Sequence, residues 1–529
     1  MNSLKVLDVT LRDGGCVNDF NFGQAYMEKI LAAQEASGVD VIELGYLDEN
    51  KGSEFGRTQY INEKVIEQCI LRHKKPEITY VVMMDYGKFN VEHLQPKTEA
   101  GVDGIRIAFH KANRHEIVSA GRRIMDKGYK LYIQPMTTIH YSDAELLELV
   151  GLVNEKLSEA AAFYIVDSFG EMRPNDMSRI LNLVDHNLVP TMPLGFHSHN
   201  NLQMSYSNAI SMLQFPTNRD LIVDCSIMGM GKGAGNLNTE LLLDHLNLYY
   251  GKKYRISPLL EVIDKVIKPL HAEFGWGYSV EYYLSSVNHC TPSYAGYFYG
   301  KHMLPIEQVG ELLSLLPEEK KNSFDEEFAE NLYREYNERN AVDDTGTVEC
   351  LKAGLQDKNI LLLAPGKSLA NFDALKFAKE NDCVIIGLNI IDSILDFSVI
   401  TRTDYYEQAV MEGMNIITTS KMGVSGDKST RVLDYRRWID ISDKTHDSSA
   451  VIAMNFLKYC NVNKVYLAGS DGYSMDINEN YMEATMRFSL TPEQVAERNQ
   501  YYKSFYKNLK EKGMDIQFVT SSKYEWEET

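Results

Sequence analysis

A chain of 529 residues, 44% of them hydrophobic, is long enough for more than one domain and apolar enough to bury real cores, which excludes global disorder. With 54 basic against 74 acidic residues its formal charge is −20, which argues against a nucleic-acid or anionic-membrane surface. No run approaches the ~18 apolar residues of a membrane span, the N-terminal MNSLKVLDVTLRDGG lacks a charged-then-apolar leader pattern, and the seven scattered cysteines form no CxxC, so a cytoplasmic, reducing setting without disulfides or structural zinc is expected.

Short β-rich runs alternate with helical stretches through the first half of the chain. Strands are predicted at Lys5–Val9, Val39–Leu44, Ile78–Met84, Gly104–Ala108, Lys130–Gln134, Ala162–Val166, Met192–Phe196 and Leu221–Cys225. Their apolar and β-branched content suits parallel strands buried on both faces. Helical patterns lie between them at Gly23–Gly38, His115–Gly128 and Asp143–Leu157, the last with Ser142 as N-cap. Gly38-Val39-Asp40 and Gly101-Val102-Asp103 each read as a helix closing on glycine before a strand opens. The expected fold class is α/β with an N-terminal (β/α)8 barrel; the competing open, doubly wound sheet would normally show a GxGxxG turn, and none is present.

From residue 255 the pattern turns helical and rich in tyrosine, and the charged stretch Pro317–Asp344 reads as exposed helix. A new apolar run, Asn359–Leu363, opens a second α/β unit with further strands at Cys383–Gly387, Phe397–Ile400, Asn415–Thr418, Lys464–Ala468 and Ile516–Val519. The expected division is 1–254 for the barrel, 255–350 for a helical accessory region and linker, and 351–529 for a C-terminal α/β domain.

Reactive groups of such a barrel sit at the C-terminal ends of its strands. Arg12 and Asp13 follow the first predicted strand, Glu43 ends the second, Arg106 lies in the fourth with His110 just beyond, Asp167 and Ser168 follow the sixth, His197 and His199 the seventh, and Asn236 the last. Residues i and i+2 of an extended segment share a face, so both imidazoles of the HxH can address one ion, and Asp13 adds a carboxylate. Two histidines and one carboxylate suit a divalent cation, Mn or Mg first, with Co or Zn as alternatives. Arg12 beside the carboxylate supplies a permanent charge for a developing enolate oxygen.

Thr10-Leu11-Arg12-Asp13-Gly14, His197-Ser198-His199 and Gly233-Ala234-Gly235-Asn236 together resemble the DRE-TIM metallolyase superfamily, over residues 4 to about 310. Ile105–His110, Val166-Asp167-Ser168 and Gly277-Tyr278-Ser279 make the likeness closest to its 4-hydroxy-2-oxovalerate aldolase branch. The resemblance implies metal ligation by Asp13, His197 and His199, with Asn236 as a fourth ligand, enolate stabilisation by Arg12, and contact with the carboxylate of a 2-oxo acid near Ser168, with Glu43 and Arg106 beside the substrate. The branch carries an acid/base histidine three residues after its motif aspartate; here Cys16 stands there, leaving Cys16, His110, Tyr282 or a water for that role. Gly15 after the motif favours aldol over Claisen-type acyl-CoA chemistry, which stays open, as does a non-catalytic sugar-binding scaffold.

In the C-terminal part, Ala364-Pro365-Gly366-Lys367-Ser368 sits at a strand-to-helix turn whose amides could take a phosphate, although it lacks the Walker A spacing. With Leu467–Ser474 it resembles sialyltransferase-like nucleotide-sugar-binding domains, which implies a nucleotide sugar and a link to surface-polysaccharide synthesis. The expected partners are thus a 2-oxo acid and an aldehyde at the barrel, a nucleotide sugar at the C-terminal domain, and other copies of the chain in a homo-oligomer.

Overall fold

The computed structural model describes residues 3–50, 55–69, 74–302, 304–339, 341–426, 428–440, 448–483, 486 and 490–525. Two compact units emerge, Met1–Pro292 and Ser293–Thr529. None of the described helices is long and apolar enough to cross a membrane.

The first unit is a closed parallel barrel. Its strands are β1 Leu4–Asp8, β2 Val41–Leu47, the short β3 Gln59–Tyr60, β4 Thr79–Asp85, β5 Gly104–Phe109, β6 Lys130–Pro135, β7 Ala162–Asp167, β8 Leu194–Ser198 and β9 Leu221–Cys225. They run in the order β1-β9-β8-β7-β6-β5-β4-β2, with β3 appended to β2, and β1 pairs β2 to close the ring. Alternation along each strand assigns the two faces. Ile42, Leu44, Ile105, Ile107, Phe196 and Val223 face the surrounding helices, while Leu7, Val41, Val81, Tyr164 and Ile222 fill the interior. The same alternation turns Glu43, Arg106, His197 and Asp224 inward. Gly195 makes room in that interior, since a Cβ there would lie 2.4 Å from the Tyr164 ring.

All eight expected barrel strands form, and helices occupy Gln24–Ser37, Ile117–Asp126 and Asp143–Lys156, the last closed by a capping box on Ser142. Gly38 is a left-handed helix C-cap at φ 81°, as its sequence context predicts. Gly101 is not: no helix links β4 to β5, because that connection carries Pro96 and no sustained 3.6-residue apolar period. β2 runs four residues past Glu43, through a register shift at Gly45, where φ is 146° and a Cβ would meet the Thr58 carbonyl at 2.1 Å.

In the second unit the charged segment forms helix Glu326–Arg339, which is not wholly exposed: Ala329, Leu332, Tyr333 and Tyr336 make a buried stripe at helical spacing. A parallel sheet follows, with β10 Asn359–Leu363, β11 Cys383–Leu388, β12 Phe397–Val399, β13 Ile416–Thr419, β14 Thr430–Leu433, β15 Lys464–Ala468 and β16 Ile516–Phe518. Its order is β14-β13-β12-β11-β10-β15-β16, so the winding direction reverses between β10 and β15. The β14 strand is an addition to the sequence expectation.

Candidate metal centre

β1 ends in a tight turn that delivers Arg12 and Asp13 to the barrel mouth, both amides bonding back to the Val9 carbonyl. The turn is fastened by Asp8, which accepts from Thr10, Gln34 and Thr239, and by the Thr10 hydroxyl, which accepts from the Ile227 amide at 2.8 Å. Across the ring, His197 ends β8 on its inner face and His199 follows it, the two rings edge-on with centroids 5.4 Å apart. The loop after β9 folds back so that Asn236 bridges to His199, with the Asn200 amide donating to the Gly235 carbonyl.

The result is a convergence of the Asp13 carboxylate and the two imidazoles, with donor atoms all within 4.8 Å of one another and every side chain buried. Asp13 Oδ2 lies 3.7 Å from His199 Nε2, too far for a hydrogen bond but a spacing two ligands of one ion can share. The outer ring nitrogens are engaged: His197 Nδ1 lies 3.0 Å from Asp224 Oδ2, and His199 Nδ1 lies 3.0 Å from the Lys232 carbonyl. Such backing fixes a ring's orientation and leaves Nε2 to face a cation. Asn236 Nδ2 donates to Asp13 Oδ2 at 2.5 Å, while its Oδ1 is buried without a hydrogen-bond partner. Space is kept at Gly231, where a Cβ would fall 2.3 Å from Asn236 Nδ2 and 2.8 Å from Asp13 Oδ2. An orphaned amide oxygen, a kept space and a spaced donor set fit a divalent cation.

Electrostatics agree. Burial opposes ionisation of Asp13, but the Arg12 guanidinium, the two imidazoles and the Asn236 hydrogen bond together outweigh it and hold the carboxyl well below its usual range. Burial pushes His199 down to about 4, so its imidazole is neutral at pH 7 and able to donate a lone pair.

Arg12 sits between two carboxylates. Its Nε donates to Glu43 Oε2 at 2.7 Å and its Nη1 to Asp13 Oδ1 at 2.7 Å, while Nη2 is buried with no hydrogen-bond partner. Arg106 is wholly enclosed in the barrel, its Nη1 2.9 Å from Glu43 Oε2 and its Nη2 donating to Asp224 Oδ2. Glu43 and Arg106 thus meet each other rather than open solvent.

The other predicted residues spread around the mouth. Cys16 is exposed at the mouth, within electrostatic reach of Asp13 and Arg12; desolvation by the protein packed around it and then the Asp13 charge push the thiol up to about 12. His110 is exposed beyond β5, near Asp85 and Lys88, and partial burial of its ring lowers its pKa. Ser168 Oγ accepts the Thr137 amide at 2.9 Å. Tyr282 is partly buried on helix Val280–Val287, its phenol raised by burial and then by Glu281. Asp224 was not anticipated; its signal is an isolated acid inside the apolar strand Leu-Ile-Val-Asp-Cys.

In the second unit, the loops after β10 and β15 meet at the winding reversal. The Ser368 amide donates to Asp471 Oδ2 at 2.7 Å, so a carboxylate takes the amide a phosphate would otherwise use.

Residues 3–257 match the HMGL-like family. The chain is 31% identical over 250 residues to 4-hydroxy-2-oxovalerate aldolase 2 of Comamonas testosteroni, which covers 45% of this chain and 67% of that protein. It is 30% identical over 248 residues to 4-hydroxy-2-oxovalerate aldolase 2 of Dechloromonas aromatica (strain RCB), covering 45% of this chain and 68% of that one. The crystal structure of the HMG-CoA lyase from Brucella melitensis aligns at 12% identity over 51% of this chain and 100% of its own, with a TM-score of 0.40.

Proposed function

The chain belongs to the HMGL-like family of metal-dependent carbon–carbon lyases, and on that footing we propose that its barrel is a divalent-metal-dependent aldolase acting through the enolate of a 2-oxo acid such as pyruvate. Asp13, His197 and His199 would hold the cation, with the Asn236 amide oxygen as a fourth donor; Mn or Mg is the first choice, Co or Zn the alternatives. When bound, the cation supplies Lewis acidity that polarises the keto group and acidifies the neighbouring C–H.

The observation that carries the reading is the buried, unpartnered Nη2 of Arg12 beside the ligand cluster. Glu43 and Asp13 fix the guanidinium from two sides, so it meets a developing enolate oxygen without reorganising. The Ser168 hydroxyl, whose oxygen is anchored by the Thr137 amide, keeps its own proton to donate to the substrate carboxylate. For the proton step we choose His110 over Cys16 and Tyr282. Its lowered pKa leaves a neutral imidazole at pH 7, whereas the thiol and phenol hold their protons.

The test is metal-dependent exchange of pyruvate methyl protons with deuterated water, followed by NMR, which reads enolate formation without knowledge of the aldehyde. No exchange with any of the four metals, alongside turnover of acyl-CoA esters, would replace this reading with the Claisen-type one. For the second unit we propose a nucleotide sugar in the crevice between the β10 and β15 loops, the place where open parallel sheets hold ligands, and with it a role in surface-glycan or unusual-sugar synthesis. Calorimetric titration with a panel of nucleotide sugars tests it, and a panel without heat or saturation would discard it.

A further inference from the structure

A second group of metal-type donors stands elsewhere on the barrel's C-terminal side. It comprises His140 after β6, Glu171 in the loop after β7, and His289 just past helix Val280–Val287, with donor atoms within 4.8 Å of one another. The three segments are brought together by contacts that do not involve these side chains. Asp167 accepts the Glu171 and Met172 amides and folds the β7 loop, and Ser286 Oγ donates to the Phe169 carbonyl at 2.6 Å, which ties the helix to that loop.

Glu171 is only 4% exposed. Its Oε2 lies 2.5 Å from His289 Nδ1. Its Oε1 lies 2.7 Å from His140 Nε2, yet the two are not aligned for a hydrogen bond, and both atoms are buried without a hydrogen-bond partner. The two atoms touch at ion-pair distance but out of line, so the bonding capacity of each is left for a better-placed partner. The charge points the same way. Among the described residues no lysine or arginine pairs with Glu171; Lys111 turns instead to Glu145 and to the His140 carbonyl. A second buried carboxylate, Asp167, is close enough that Glu171 adds to the burial that raises its pKa.

We propose that His140, Glu171 and His289 form a second cation site for a borderline transition-metal dication of the Zn2+ class. Two imidazoles with one carboxylate suit that class, which is also an alternative at the Asp13 cluster, where the added Asn236 amide oxygen favours the harder Mn2+ and Mg2+. Ligand bonds of about 2.0–2.2 Å set tetrahedral donors roughly 3.4 Å apart, so binding opens the group by somewhat under 1 Å. The His289 side chain, 59% exposed, has the freedom to swing outward. The ion would clip the loops after β6 and β7 to the segment after the helix, beside the mouth but with ligands separate from the Asp13 cluster.

The full-length chain is stripped with chelator, dialysed against micromolar Zn2+, and its metal counted by mass spectrometry. The expected stoichiometry is two per chain for wild type, one for Asp13→Ala, one for His289→Gln or His140→Gln, and none for Asp13→Ala combined with His289→Gln. His289 is exposed, so its variant should retain the fold, which circular dichroism checks. Two ions in wild type that both histidine variants keep would overturn the proposal, as would a single ion lost in Asp13→Ala. A single ion kept by Asp13→Ala and lost in His289→Gln would support this site while removing the metal from the first.

Discussion

Replacing Arg12 with lysine separates charge from geometry at the mouth. The variant keeps a cation beside Asp13, so that carboxyl stays ionised and the ligand set keeps its charge. It loses the planar fork that spans Glu43 and Asp13 while presenting Nη2 inward. Glu43 is not orphaned, because Arg106 Nη1 remains 2.9 Å away, so the loss in folding stability should stay near that of one charge-assisted hydrogen bond, about 1.5–3 kcal/mol. Loss of a preorganised donor to a developing oxyanion costs about 2.7–4 kcal/mol, or roughly 10²–10³ in rate. Deuterium exchange into pyruvate should therefore fall by that factor, while Mn2+ affinity, from the enhancement of water proton relaxation on binding, changes less than about tenfold. Exchange within about threefold of wild type in metal-loaded Arg12→Lys, a difference of only ~0.6 kcal/mol, would refute the assignment of Nη2 to the enolate oxygen.

Asp224→Asn leaves every proposed ligand in place but weakens the backing of His197, and Mn2+ affinity is expected to drop about 10–100-fold; unchanged affinity would show that Asp224 matters only to folding. Gly231→Ala puts a Cβ against Asn236 and Asp13, so metal content after dialysis should fall well below wild type even though the residue itself ligates nothing. In metal-free protein, Asp167 is pushed up to about 8 by burial and then by Glu171, so the folded chain retains a proton that the unfolded chain releases above its ordinary value near 3.8. Stability from this group is present at low pH and lost as pH rises through 8. His199, lowered to about 4, acts oppositely, but only between pH 4 and its unfolded value near 6.5, so the window from pH 6.5 to 8 isolates Asp167. Urea unfolding there should show wild type losing about 1 kcal/mol per pH unit relative to Asp167→Asn, and parallel profiles would contradict it.

The barrel strands were legible because parallel strands buried on both faces need unbroken apolar, β-branched runs, and each such run in the first half became a strand. The ligand candidates were legible for a related reason. A charged or imidazole side chain at the end of such a run has nowhere to go but the mouth. Inside a run the signal was weaker: Glu43 and Arg106 were read as substrate contacts, and Asp224 was passed over. Strand alternation sends all three inward, where they meet across the interior at separations of 63 and 118 residues that no local spacing encodes. His140, Glu171 and His289 escaped notice likewise, since their approach depends on loop closure by Asp167 and Ser286. Gly101 misled because a glycine before a strand looks the same after a helix or a loop. β14 was missed because Thr-Arg-Val-Leu is short and carries an arginine.

A continuous ladder of alternating charge runs through the barrel, from Asp13 to Arg12, Glu43, Arg106, Asp224 and finally the His197 ring. Buried ion pairs seldom add net stability, and apolar replacements of similar volume often do as well or better. A chain of five buried charges is therefore better explained by what it holds than by what it stabilises. Both ends of the ladder are proposed metal ligands, so each interior link fixes the direction of a donor at the mouth. Three carboxylates against two guanidiniums leave one negative charge, with His199 neutral. A divalent cation turns that into a single positive charge, and a monoanionic 2-oxo acid brings the site to neutrality. A monoanion bound at the cation is thus the charge that this interior is set to take up.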